Sequence, residues 1–144
     1  MSKFINTIDT LGDDTVVDSI IQKTITEFRD NVVTWVKTGS FNGCTKLEIV
    51  DFASTIKIGG QSFADSTNLA SVILRSETLC TLMHTNAFTN TPISKGTGYI
   101  YAPQALIDEY KVATNWSTLA NQFRALEDYT VDGTTTGALD ESKI

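Results

Sequence analysis

The sequence predicts an α/β solenoid: a short stack of parallel strands with capping helices at both ends. Three observations lead there. The 144-residue chain repeats itself at a fixed offset of 22 residues. Threonine (22) and serine (11) make up nearly a quarter of it, and β-branched Thr favours strands and turns. Predicted helices lie only outside the repeating stretch. At 41% hydrophobic and 19% charged, the chain can form a real core, so disorder is not expected.

The repeat is read directly from the residues. The stretch from Phe41 through Cys44, Leu47 and Val50 to Phe52 returns as Phe63, Ser66, Leu69, Val72 and Leu74, each pair 22 apart. The same offset runs backwards, from Leu47 to Ile25, Val50 to Phe28, Ile56 to Thr34 and Ile58 to Val36. A degraded copy follows: Phe88 stands 25 after Phe63, the pattern breaks at Pro92-Ile93, and it resumes at Gly98–Pro103 with Ile100 in the place of Val72. Such a period is the mark of a structure in which each coil buries its apolar groups only against its neighbours. Phe41, Phe63 and Phe88 are expected to plug the interior, and adjacent strands to run parallel about 4.8 Å apart.

These residues resemble the BspA-type leucine-rich repeat: Phe, then Cys44 or its substitutes Ser66 and Thr91, then Leu and Val, with Ile56-Lys57-Ile58-Gly59 before the next Phe. The resemblance runs from about Ile25 to Leu126 and implies a leucine-rich-repeat stack.

The flanks complete the expected organisation. Residues 1–12 read as an N-terminal arm. In 13–24, Asp13 or Asp14 caps a helix carrying Val16, Val17, Ile20 and Ile21 on one side. The repeats fill 25–102. In 103–129, Pro103 opens a helix with Leu106, Ile107 and Tyr110 on one face. A second helix, about Ser117 to Leu126, carries Leu119, Ala120, Phe123 and Leu126, and the sequon Asn115-Trp116-Ser117 reads as its start. Residues 130–144 form a C-terminal arm. Ordering the arms costs about 1–2 kcal/mol per residue in backbone entropy, so Phe4, Ile5, Ile8, Leu11 and Leu139 are expected to meet other subunits.

Chemistry is sparse. His84 is the sole histidine; Cys80 lies four residues before it, and Cys44 holds a core position of the repeat. Two cysteines make no disulfide framework, and two thiols with one His make no zinc set. Asp128, Asp132 and Gly133 only echo a calcium loop, and Gly96-Thr97-Gly98 lacks the Lys and helix of a phosphate loop. No catalytic residues, metal or cofactor are expected. A net charge of −6 without a basic run argues against nucleic acid, and no apolar run approaches the roughly 18 residues of a membrane span. The N-terminus does not read as a signal peptide.

What remains is a surface. If Val50, Phe52, Val72, Leu74 and Ile100 face inward, the alternate residues face out. Those are Glu27, Arg29, Ile49, Asp51, Ser71, Ile73, Arg75, Tyr99 and Tyr101, and stacking lines them into one candidate contact face. The segments Ile8–Asp14, Tyr99–Pro103 and Ala113–Ser117 resemble small repeat proteins of phages that infect Gram-positive bacteria. That resemblance implies a non-enzymatic virion protein: a capsid decoration, head-fibre or tail-fibre component. Its partners would be other virion proteins, further copies of itself and a host cell-surface glycan or protein. The alternative is a BspA-like adhesin of the bacterial cell surface.

Overall fold

The computed structural model describes residues 3–4, 10–11, 25–30, 33–128, 130–131 and 134–135. The expected helix over 13–24 lies outside them, as do Ile5, Ile8, Leu139, Asp132 and Gly133.

Two parallel sheets make the stack. The larger runs β1 (Lys3–Phe4), β3 (Glu27–Asp30), β5 (Ile49–Phe52), β7 (Ser71–Leu74), β9 (Tyr99–Ala102) and β10 (Phe123–Ala125), in that order. The smaller runs β2 (Thr10–Leu11), β4 (Trp35–Val36), β6 (Lys57–Ile58) and β8 (Thr81–Leu82). The first four repeats each give one strand to each sheet, and β9 and β10 extend the larger sheet alone. The expected register holds: Phe28, Val50, Val72 and Ile100 are Cα partners in succession, and Val36, Ile58 and Leu82 are partners on the second sheet. All seven are buried.

A third side is held by turns. Phe41, Phe63 and Phe88 stack there with centroids 5.4 and 5.3 Å apart and rings within 4° of parallel. Their spacing follows from backbone hydrogen bonds between repeats: Phe41 N–H donates to Ser62 C=O at 2.7 Å and Phe63 N–H to Ala87 C=O at 2.9 Å. The turn after each Phe needs one left-handed residue, and Gly43, Asp65 and Asn90 supply it at φ of 73°, 62° and 60°. Cys44, Ser66 and Thr91 follow, all buried. The two hydroxyls in that position donate to the carbonyls of Phe41 and Phe88; the Cys44 thiol takes the same place as a small apolar group.

The six residues added between β7 and β9, relative to the 22-residue spacing, are taken up by a 3₁₀ turn, Thr85–Phe88, and a short helix, α1 (Pro92–Lys95). Thr91 and Ser94 cap α1 reciprocally. Gly96 ends it at φ +88°. Gly98 must be bare, because a Cβ there would meet Ala70 O at 2.9 Å.

Two expectations change. Lys3–Phe4 and Thr10–Leu11 were read as part of an arm, yet they pair in parallel with β3 and β4, so the sheets begin before residue 25. The first predicted C-terminal helix exists as α2 (Gln104–Val112), with Tyr110 buried. The second does not. Asn115, at φ +69°, starts a 3₁₀ stretch over Trp116–Gln122, and Phe123–Ala125 then forms β10, with Phe123 opposite Ile100. The helical spacing of Leu119, Phe123 and Leu126 misled because Phe123 continues the inner ladder of the sheet instead. Past it, Thr130–Val131 (β11) and Thr134–Thr135 (β12) pair antiparallel.

Candidate contact surface

The outer face of the large sheet carries two rows, fixed by register. One is Glu27, Ile49, Ser71 and Tyr99; the other is Arg29, Asp51, Ile73, Tyr101 and Arg124. Alternation places both rows between the positions of the buried ladder, but it does not make them exposed.

Glu27, Arg29, Asp51 and Ile73, all placed on the predicted contact face, are buried, Asp51 and Ile73 completely. Ile49, Ser71, Arg75 and Tyr101 are half-buried, and Tyr99 is exposed. Ile73 sits in register between Asp51 and Tyr101. Asp51 is the centre of an ion cluster. Arg75 grips it as a fork, donating from Nε to Oδ1 at 2.6 Å and from Nη2 to Oδ2 at 2.9 Å. Arg29 donates from Nη1 to Oδ2 at 2.8 Å, and its Nε lies 3.6 Å from Glu27. A carboxylate withdrawn from water is tolerated only with such pairing. These residues join β3, β5 and the end of β7; they are not offered to a partner.

The exposed part of this face lies at its C-terminal end. The Arg124 guanidinium sits 4.5 Å over the Tyr99 ring, and Tyr101 meets Tyr99 edge-on at 6.4 Å. Arg124 Nη1 donates to the carbonyls of Asn121 and Phe123, which fixes the fork in place. No carboxylate pairs with Arg124 among the described residues. Arg124 was missed in the sequence because its strand was read as helix.

The second sheet ends differently. Among the described residues no further strand is added beyond β8. Instead the Cys80 N–H donates to Tyr110 Oη at 2.8 Å, Trp116 Nε1 donates to Cys80 C=O at 2.6 Å, and Asn115 Nδ2 donates to Leu82 C=O at 2.7 Å. Side chains thus satisfy the edge groups that another strand would have used. Tyr110, Trp116 and Phe123 pack as one aromatic cluster behind them.

Cys80 and His84 both serve the fold. Burial pushes the Cys80 thiol far above its ordinary value, so it stays protonated. His84 is exposed, and its Nδ1 accepts from Asn86 N–H at 3.2 Å, capping the 3₁₀ turn. Cys44 and Cys80 are both buried, and neither is in a disulfide. Among the described residues no group of three or more His, Cys, Asp or Glu side chains is placed to hold a metal, and no helix is long and apolar enough to cross a membrane.

No curated protein and no solved structure matches the chain. The family model described as the BspA type leucine rich repeat region (6 copies) matches residues 3–100, which takes in the early strands as well as the regular repeats. With its repeating Phe turns, parallel sheets and this match over more than half its length, the chain belongs to the BspA-type leucine-rich repeat family.

Proposed function

We propose that this chain is a non-catalytic binding module of a bacterial cell surface, meeting a protein partner through Tyr99, Tyr101 and Arg124. The observation that carries this reading is the Arg124 fork, held over the exposed Tyr99 ring and without a described carboxylate partner. Tyr and Arg are the residue types that concentrate binding energy at protein interfaces, and a fork positioned in advance loses little entropy on docking. A passive role is supported by the state of two reactive groups: the Cys80 thiol is buried and protonated, and His84 is engaged in a turn. A virion structural role, implied by the short phage-like segments, has nothing in the fold or the family match to favour it over the adhesin-type reading.

The test is binding of the purified protein to a panel of immobilised cell-surface and extracellular-matrix proteins, beside the double variant Tyr99→Ala/Arg124→Ala. Saturable binding that the double variant loses, at an unchanged melting temperature, is expected. Binding that both proteins show equally would overturn the assignment of this surface.

A further inference from the structure

Two arginines at the outer face of the large sheet differ in one respect. The Nε–Nη2 edge of the guanidinium is paired within the chain in one of them and not in the other. Arg75 gives its Nε and Nη2 to the two oxygens of Asp51, a side-on fork. Arg124 is anchored through its remaining nitrogen instead. Its Nη1 donates to the carbonyls of Asn121 at 2.9 Å and Phe123 at 2.7 Å, and the guanidinium lies 4.5 Å over the Tyr99 ring. Arg124 is exposed, and its Nε and Nη2 make no bond to a described residue. Glu127, three positions along the chain, does not pair with them, because both its oxygens accept from the Gln104 N–H at the start of α2. The guanidinium is thus fixed by two carbonyls and a ring, with a planar donor pair left over.

We infer that the Nε–Nη2 edge of Arg124 receives a carboxylate, supplied by an aspartate or glutamate side chain of a protein partner. This rests on the contact assignment proposed above only in taking a protein as the source of the acid. The donor pair matches the two oxygens of a carboxylate, as Arg75 and Asp51 demonstrate within the same chain. A fork already held in place gives up little freedom when the acid arrives. A neutral sugar fits less well. It would need an open aromatic face, whereas the Tyr99 ring has the guanidinium over it and Tyr101 packed edge-on at 6.4 Å. A doubly charged phosphate also fits less well. The other arginine of the two outward rows, Arg29, is committed to Asp51, so no second cation of these rows is left to share the charge.

The experiment follows the arginine Nε–H resonances of the full isotope-labelled chain by NMR. The chain has three arginines, and Arg124→Lys identifies the resonance that belongs to Arg124. The probe is the end-blocked peptide Gly-Gly-Glu-Gly-Gly, beside its counterparts with glutamine and with phosphoserine at the centre. A saturable shift of the Arg124 resonance is expected with the glutamate peptide, at about tenfold lower concentration than with the glutamine peptide, the worth of one charge-assisted contact. The other two resonances are internal controls and should stay in place, since Arg75 Nε is bonded to Asp51 and Arg29 Nε lies 3.6 Å from Glu27. No shift at Arg124, equal responses to glutamate and glutamine, tighter binding of the phosphoserine peptide, or like shifts at all three arginines would each overturn the inference. Its failure is separable from that of the contact assignment. An Arg124 that ignores the glutamate peptide, while the double variant Tyr99→Ala/Arg124→Ala loses a bound surface protein, overturns the acid alone. A specific Arg124 shift in a chain that binds no surface protein overturns the assignment alone.

Discussion

The two halves of the large sheet's outer face have the same strand register and opposite exposure. At the N-terminal half, Arg29, Asp51 and Arg75 turn outward and then close on one another, so that Asp51 has no exposed surface. At the C-terminal half, Tyr99 and Arg124 turn outward in the same rows and remain exposed. Strand alternation decides which way a side chain points. It does not decide whether water reaches it, because that depends on what neighbouring strands place beside it.

The difference between the halves can be broken most forcefully at Asp51. Asp51→Ala leaves the buried Arg29 and the half-buried Arg75 without their shared carboxylate, which should cost about 3–5 kcal/mol. Chemical denaturation measures this directly, and a loss below 1 kcal/mol would mean that the cluster is an ordinary surface pair. The inner side of the stack supplies a yardstick of similar size. Phe63 lies between Phe41 and Phe88, and Phe63→Ala should cost about 3–5 kcal/mol as for other buried phenylalanines. An unmoved denaturation midpoint would contradict the repeat register.

A smaller effect is expected at the closed end of the second sheet. Tyr110→Phe keeps the ring but leaves the buried Cys80 N–H without its acceptor, for a loss of about 1–3 kcal/mol. The same pair sets a pH dependence. Burial raises both groups, the Cys80 thiol from an ordinary 9.0 and the Tyr110 phenol from an ordinary 10.0, the Cys80 N–H bond pulling the phenol only partly back. A group raised in the fold contributes stability that is complete below its unfolded value and lost as pH climbs above it. Stability should therefore be level through neutrality and fall as pH passes 9.0 and then 10.0, with the second fall reduced in Tyr110→Phe. A melting temperature that does not change up to pH 11 would refute the coupling.

How far the sequence could be read follows from the same physics. The 22-residue offset carried the register of β3, β5 and β7 and the stacking of Phe41 on Phe63, because identical environments in successive repeats select similar residues. It failed where the spacing changed. Lys3 stands 24 residues before Glu27, its Cα partner, so the first strands fell out of the pattern and were taken for an arm. Phe123 was lost to helical spacing, and Arg124 with it. The edge bonds of Tyr110, Asn115 and Trp116 left no trace in the repeat, since different side chains do there what backbone does elsewhere. The pairing of Trp35 with Lys57 was accessible from the offset of 22, but a Trp opposite a Lys preserves neither size nor polarity and so carries no repeat signal.

The most direct test of the division between a structural half and a contact half is a crossed measurement of melting temperature and partner binding on Asp51→Asn and Arg124→Ala. Asp51→Asn should melt several degrees lower and, at a temperature where it is folded, bind the partner as the wild type does. Arg124→Ala, a surface change, should alter stability by no more than about 0.5 kcal/mol and lose binding. The reverse pattern, with Arg124→Ala unstable yet binding or Asp51→Asn stable yet deficient in binding, would contradict the account.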